Sequence, residues 1–259
     1  EQELKCTLFL RSNRGISLTP EGKKLYEHVA IAYEQLQIGE EEIRQNGELE
    51  NGLVSIGASE NALRLVLLSR LEKFHEQYPH VRLRISNHST PQAIQALRSD
   101  IVDFAAVTTP LDIKSPLEKI PLASYREILI GGRKYKKLAE HTQKLEDIAS
   151  LPFISLDENS STRELYTQYF MRHNLPFSPD MEVATTDQIF PMVQHNLGIG
   201  FFPEELAAEH IAQGKIVQIP IEEPLPERKI CLIRNVKRPQ SIAARCLEEH
   251  LTSHREKAE

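Results

Sequence analysis

The stretch NGELENGLVSIGAS, residues Asn46 to Ser59, divides the chain. Its first seven residues hold two glycines and two asparagines, the composition of a hinge. The run that follows, Leu53, Val54, Ser55, Ile56 and Gly57, is apolar and β-branched and predicts a strand. Beyond it, Leu63, Val66, Leu67, Leu71 and Phe74 recur at helical spacing. Val81, Leu83 and Ile85 then alternate with Arg82, Arg84 and Ser86 as in a second strand. Ile94 and Leu97 mark a short helix before the apolar run Ile101 to Val107. Repeated β-α-β order of this kind predicts an α/β fold on a largely parallel sheet with helices on its faces.

A second unit repeats the order. It comprises strands at Ile128 to Ile130, Phe153 to Leu156, Glu182 to Ala184 and Ile199 to Phe202. Its helices run from about Thr162 to His173 and from Asp187 to a cap past Asn196 at Gly198. The chain then returns through Ile230 to Ile233 and ends in a helix from Ser241 to about Leu251. Two α/β lobes that the chain crosses twice, near residues 126–131 and 222–229, predict a ligand cleft between them, outside the carboxyl ends of the strands.

Upstream of the hinge, EQELKCTLFLRSNRGISLTPEG opens without a methionine or a helix start signal, which predicts further residues before it. Leu8, Phe9 and Leu10 precede a polar tip, Arg11 to Gly15, and Ile16 and Leu18 follow it, the pattern of a short hairpin. Thr19 suits a helix N-cap, Pro20 the first helical position and Glu21 the first turn. No proline recurs until Pro79. Leu25, Val29, Ala32, Leu36 and Ile43 step through a heptad seam with Gly39 at one position, as in a dimerising helix or one packed on its own domain.

The segment FLRSNRGISLTPEG, the long amphipathic helix and the NGxLxNGLVSIGAS junction together resemble the LysR-type transcriptional regulators, over essentially the whole chain. The resemblance implies a two-lobed effector domain similar to periplasmic solute-binding proteins, preceded by a linker helix and the remnant of a winged helix-turn-helix. Its divisions here are residues 1–19 for the end of the headpiece and its wing, 20–49 for the linker, and 50–259 for the effector domain. Lobe I takes about 53–127 and 230–259, and lobe II about 128–229. It further implies double-stranded DNA as partner, with Arg11 and Arg14 near the backbone or minor groove and Thr19 near a phosphate. Solvation of a hairpin tip is the alternative for the two arginines. A homodimer follows from the heptad seam, and the resemblance implies homotetramers made of two dimers.

The predicted cleft directs attention to strand-to-helix turns, where hydroxyl and amide side chains gather at Ser59 with Asn61, at His88, Ser89 and Thr90, at Thr108 and Thr109, and at Ser160, Ser161 and Thr162. Free N–H groups at helix N-termini favour anions, so an oxygen-rich organic anion is the expected effector. Ser59 and the Ser160 to Thr162 turn, on opposite lobes, are the leading candidates, although a plain N-cap accounts for any one such residue. Phe202 is a candidate apolar wall or a core aromatic. Glu60 departs from the pattern, because a carboxylate beside the cleft repels an anion unless it points away or meets a cationic ligand.

Composition narrows the alternatives. The formal charge of −6 excludes a protein that coats nucleic acid over its whole surface, although residues 1–24 carry five Lys or Arg against three Glu. No apolar run approaches the roughly 18 residues of a membrane span and no secretion signal is visible, so the cytoplasm is the expected compartment. Cys6, Cys231 and Cys246 are far apart and suggest neither a disulfide framework nor a metal site. No cofactor is expected, and no enzyme motif is present: GxSxG, HExxH and GK[ST] are absent, and His88 lacks a nucleophile or carboxylate partner in the sequence around it. A transporter's solute-binding protein would share the cleft but not the dimerising helix.

Overall fold

The computed structural model describes residues 1–12, 15–44 and 52–253, with the side chains of 11, 12 and 38–44 outside that description. Arg14, the side chains of Arg11 and Ile43, and residues 45–51 of the hinge therefore lie outside the described residues. Strands β1 (Phe9–Ser12) and β2 (Gly15–Leu18) form the expected antiparallel hairpin. The Thr19 hydroxyl donates to Thr7 O (2.7 Å) and accepts from Gly22 N (2.9 Å), capping α1 (Pro20–Arg44) against the hairpin. Gly22 is required at this seam, because a Cβ there would lie 2.1 Å from Leu8 O.

In lobe I, β3 (Leu53–Ala58) is followed by a helix of three parts. These are α2 (Glu60–Ala62), a π-helical turn (Leu63–Leu67) and α3 (Leu68–Gln77). Then come β4 (Arg82–Asn87), α4 (Thr90–Arg98), β5 (Phe104–Thr108) and β6 (Leu117–Tyr125). Lobe II begins with β7 (Glu127–Gly132), a 3-10 segment (Arg133–Glu140), α5 (Leu145–Ile148), β8 (Ile154–Leu156), α6 (Ser161–Arg172) and β9 (Met181–Val183). A 3-10 turn (Thr186–Gln188), α7 (Ile189–Gln194), β10 (Ile199–Pro203), α8 (Glu204–Ala212) and β11 (Ile216–Gln218) complete it. The chain re-enters lobe I as β12 (Arg228–Asn235) and α9 (Ile242–Ser253).

The expectation of a largely parallel sheet needs correction. Lobe I has the order β4-β3-β5-β12-β6, parallel through β4, β3 and β5, but β12 runs antiparallel to both β5 and β6. Lobe II pairs β10, β7 and β11 antiparallel, while β8 and β9 are parallel and Phe153 bridges Ile199 in parallel. The returning strand causes this. A chain that crosses back from lobe II enters the first sheet from the cleft end and must run against strands that approach the cleft. β6, α8 and β11 had no sequence prediction.

Alternation along the strands divides each core in two. Phe104 and Ala106 of β5 with Ile230 and Leu232 of β12 face α3 and α9, whereas Ala105, Val107, Cys231 and Ile233 face α4. A strand covered on both faces reads as one continuous apolar run, which is why β5 was legible. The cap of α7 is also a correction. Asn196, at φ +61°, ends that helix, and Gly198 instead makes room for Pro152 O, which a Cβ would approach to 2.5 Å.

Candidate functional site

The three parallel strands of lobe I end side by side, and the residues just beyond them share one rim. Ser59 to Asn61 follow β3, Asn87 to Thr90 close β4 and enter α4, and Thr108 closes β5. In lobe II the parallel pair β8 and β9 ends toward the same space, presenting Leu156, Ser160 and Thr162 from one turn and Ala184 to Thr186 from the other. Together they enclose about 430 Å³ of non-atom space, part of it open to solvent.

Of the expected cleft residues, Ser59, Asn61, His88, Ser89, Ser160 and Thr162 meet there. Thr109, Ser161 and Phe202 do not line it. The Thr109 hydroxyl instead accepts from Lys229 N (2.9 Å), tying β5 to β12. Phe202 is 1% exposed and packs near Phe190 in the core of lobe II, because its side chain points to the opposite face of β10 from Phe201. Sequence reasoning missed Asn87, Leu156, Ala184, Thr185 and Thr186. A signal existed for one of them: Thr185 and Gln188 form a capping box, as do Ser89 and Gln92, and the S/T-x-x-Q pattern is readable in sequence.

Hydroxyl polarity is fixed by the fold. Ser59 Oγ accepts from Ala62 N (3.4 Å), Ser160 Oγ from Thr162 N (3.2 Å) and Thr162 Oγ1 from Arg228 (2.9 Å). Each uses a lone pair on a protein N–H, which leaves its O–H to donate. Burial lowers the pKa of His88, and Glu34 opposes this in part.

Behind the cleft lies an ion pair that the sequence did not announce. Arg228 and Glu127, whose side chains are 2% and 1% exposed, meet at 2.8 Å where the two chain crossings lie together. Arg228 also donates to Thr108 Oγ1 and Thr162 Oγ1 (both 2.9 Å) and to Thr109 O (2.7 Å), and Tyr166 donates to the other Glu127 oxygen (3.0 Å). The guanidinium therefore binds residues of both lobes. Burial, the largest single effect, opposes its charge, but Glu127, Tyr125 and Tyr166 together outweigh it and raise its pKa. Burial, then Glu127, pushes both the Tyr125 and Tyr166 phenols above their ordinary range. Nothing in the local sequence distinguishes Arg228 from its exposed neighbour Lys229; only the topology buries one of them.

Among the described residues, no group of three or more His, Cys, Asp or Glu is placed to hold a metal ion. None of their helices is long and apolar enough to cross a membrane.

Comparison with known proteins matches residues 47–256 to the family described as the LysR substrate binding domain. The chain belongs to this family. Among curated LysR-type relatives, the probable RuBisCO transcriptional regulator of Trichormus variabilis is 28% identical over 261 residues, covering 97% of this chain and 76% of the relative. The transcriptional dual regulator GltC of Bacillus subtilis is 27% identical over 245 residues, covering 94% and 81%. Solved LysR folds agree with the architecture. The regulatory domain of Synechocystis CcmR, in complex with 2-PG, superposes with a TM-score of 0.70 at 15% identity, covering 78% of this chain and 97% of that one. CrgA from Neisseria meningitidis covers 97% of this chain and 85% of its own at a TM-score of 0.64 and 21% identity.

Proposed function

We propose that the chain is the sensing and oligomer-forming part of a DNA-binding, cytoplasmic LysR-type transcription regulator, with no catalytic role of its own. A small metabolite enters the cleft between the lobes, and its preference for the closed arrangement shifts the geometry that α1 relays to DNA-binding headpieces. The observation that carries this is the convergence of five strand ends from two lobes on one polar cleft lined by hydroxyl donors. The cleft residues proposed are Ser59, Asn61, His88, Ser89, Thr108, Ser160 and Thr162. The hairpin bearing Arg11 and Arg14 and the capped start of α1 at Thr19 are the proposed DNA-facing elements. The Thr19 hydroxyl is itself occupied by the cap.

A transporter's solute-binding protein draws no support from the relatives, which are regulators. The seam of α1 argues the same way: Leu25, Val29 and Leu36 are 36%, 51% and 68% exposed, an apolar row suited to a second copy of the helix.

The test is a thermal-shift screen against amino acids, small carboxylates, sugar phosphates and aromatic acids. Selective binding raises the melting temperature by mass action. Replacing Ser160 and Thr162 together with alanine is expected to abolish that stabilisation, and its persistence would remove the turn from the site.

A further inference from the structure

The cleft carries acceptors as well as donors. Asn61 is 4% exposed, and its Oδ1 is buried without a hydrogen-bond partner in the lining of the cleft. A carbonyl oxygen withdrawn from water in this way calls for an N–H or O–H donor, and the nearest one in the protein, the buried Tyr125 hydroxyl, does not bond it. The adjacent Glu60 lines the same cleft, where its Oε2 accepts from Asn87 Nδ2 (3.2 Å). The turn Glu60–Ala62 lies against Thr186–Gln188 of lobe II, which puts the Asp187 carboxylate close enough to act on Glu60. Burial, and next Asp187, raises the proton affinity of Glu60, and Arg64 offsets this only in part.

On the other side of the space stand Ser160 and Thr162 at the start of the twelve-residue helix α6, with hydroxyl protons free to donate. The two regions have opposite hydrogen-bonding demands. An anion satisfies the hydroxyls and the helix end but leaves the Asn61 oxygen orphaned and the repulsion between Glu60 and Asp187 unrelieved.

Accepting the cleft as the effector site, we propose that its effector is a small zwitterion of the amino-acid kind. Its carboxylate meets Ser160, Thr162 and the α6 N-terminus, and its primary ammonium sits among Glu60, Asn61 and Asp187. An ammonium has three N–H donors and no acceptor, matching the Glu60 carboxylate and Asn61 oxygen that line that end and the Asp187 carboxylate just outside the lining. It also relieves the repulsion between Glu60 and Asp187, which belong to different lobes, so its binding favours the lobes held together. Glu60, which counts against an anionic effector, becomes the residue that selects for the ammonium.

The experiment is calorimetric titration of the full 259-residue chain with the common L-amino acids, each beside the 2-hydroxy acid that lacks its ammonium and the primary amine that lacks its carboxylate. At least one amino acid is expected to bind, with both partial analogues at least tenfold weaker. Glu60→Gln and Asp187→Asn are each expected to weaken that amino acid tenfold or more and to leave or improve binding of the hydroxy acid. Hydroxy acids binding as well as amino acids would overturn the zwitterion while leaving the cleft as an anion sensor. Amines binding equally well would overturn it too, as would unchanged affinity in both variants. If no amino acid, hydroxy acid or amine binds, the zwitterion is excluded; hits among the sugar phosphates or aromatic acids of the thermal screen would then keep the sensor, and their absence would remove it as well.

Discussion

Arg228 sits at the start of β12 with its charge almost wholly removed from water and matched by Glu127, two threonine hydroxyls and a carbonyl. Taking one partner from such a pair strands the other, at a cost of about 3–5 kcal/mol, whereas replacing both with apolar residues is often neutral. Arg228→Met is therefore expected to lower unfolding stability by about that amount in denaturant titration, and Arg228→Met combined with Glu127→Leu to recover most of it. Equal losses in the single and double variants would show that the threonine contacts, not the ion pair, hold the lobes. Glu60 has the opposite character. Its proton is bound more tightly in the folded chain than in the unfolded one, so its contribution is favourable at low pH and is lost as pH rises above the ordinary carboxylate value of 4.5. Glu60→Gln should raise the melting temperature of the unliganded chain at pH 7 and flatten its fall above that value. A variant less stable than the parent at pH 7 would contradict this account. Of these residues, Glu60 was conspicuous in the sequence because a carboxylate at a hydroxyl-rich turn is out of place. Arg228 was not, because one cation before an apolar run resembles any other.

At the scale of elements, local signals were readable and connections between distant segments were not. The hairpin, the Thr19 cap, β3 and β5 each follow from a few adjacent residues. Burial of Ser55, by contrast, depends on Asp103, whose carboxylate accepts from both its N–H (2.8 Å) and its hydroxyl (2.6 Å) across 48 positions of sequence. The antiparallel insertion of β12 likewise depends on where lobe II returns the chain. Gly22 lies between these cases: its identity is visible, and its reason is not until Leu8 O is placed against it. Gly22→Ala is expected to force the hairpin off α1, costing at least about 1–3 kcal/mol as an overpacking change. Hydrogen exchange should show Thr19 and Gly22 amides losing protection, while β3 and β5 keep theirs. Retained protection at Thr19 would mean the seam can shift at little cost.

For the whole molecule, α1 stands outside both cores with an apolar row facing away, and Glu34 joins Arg84 of edge strand β4 at 3.1 Å. Both members of that pair are well exposed, so it orients the helix weakly and its stability contribution is small. If the row is a seam between copies, Val29→Glu together with Leu36→Glu should yield monomers in light scattering while the lobes retain their melting transition. A dimer that survives would assign association to the lobes. The heptad spacing was visible from the sequence. The relation of the helix to the lobes was not, because the residues that set it are 50 positions apart.

The route of the chain also has a consequence for its birth on the ribosome. Lobe II is inserted in lobe I, whose sheet is completed only when β12 slots between β5 and β6. Until residues 228–235 emerge, β5 and β6 each offer an open edge, and the α9 side of the core is uncovered. Synthesis thus yields a finished second lobe before a finished first one. A message cut short anywhere between the lobes and the last strand would release a chain with two adhesive strands and nothing to separate them, a natural substrate for chaperones and proteases.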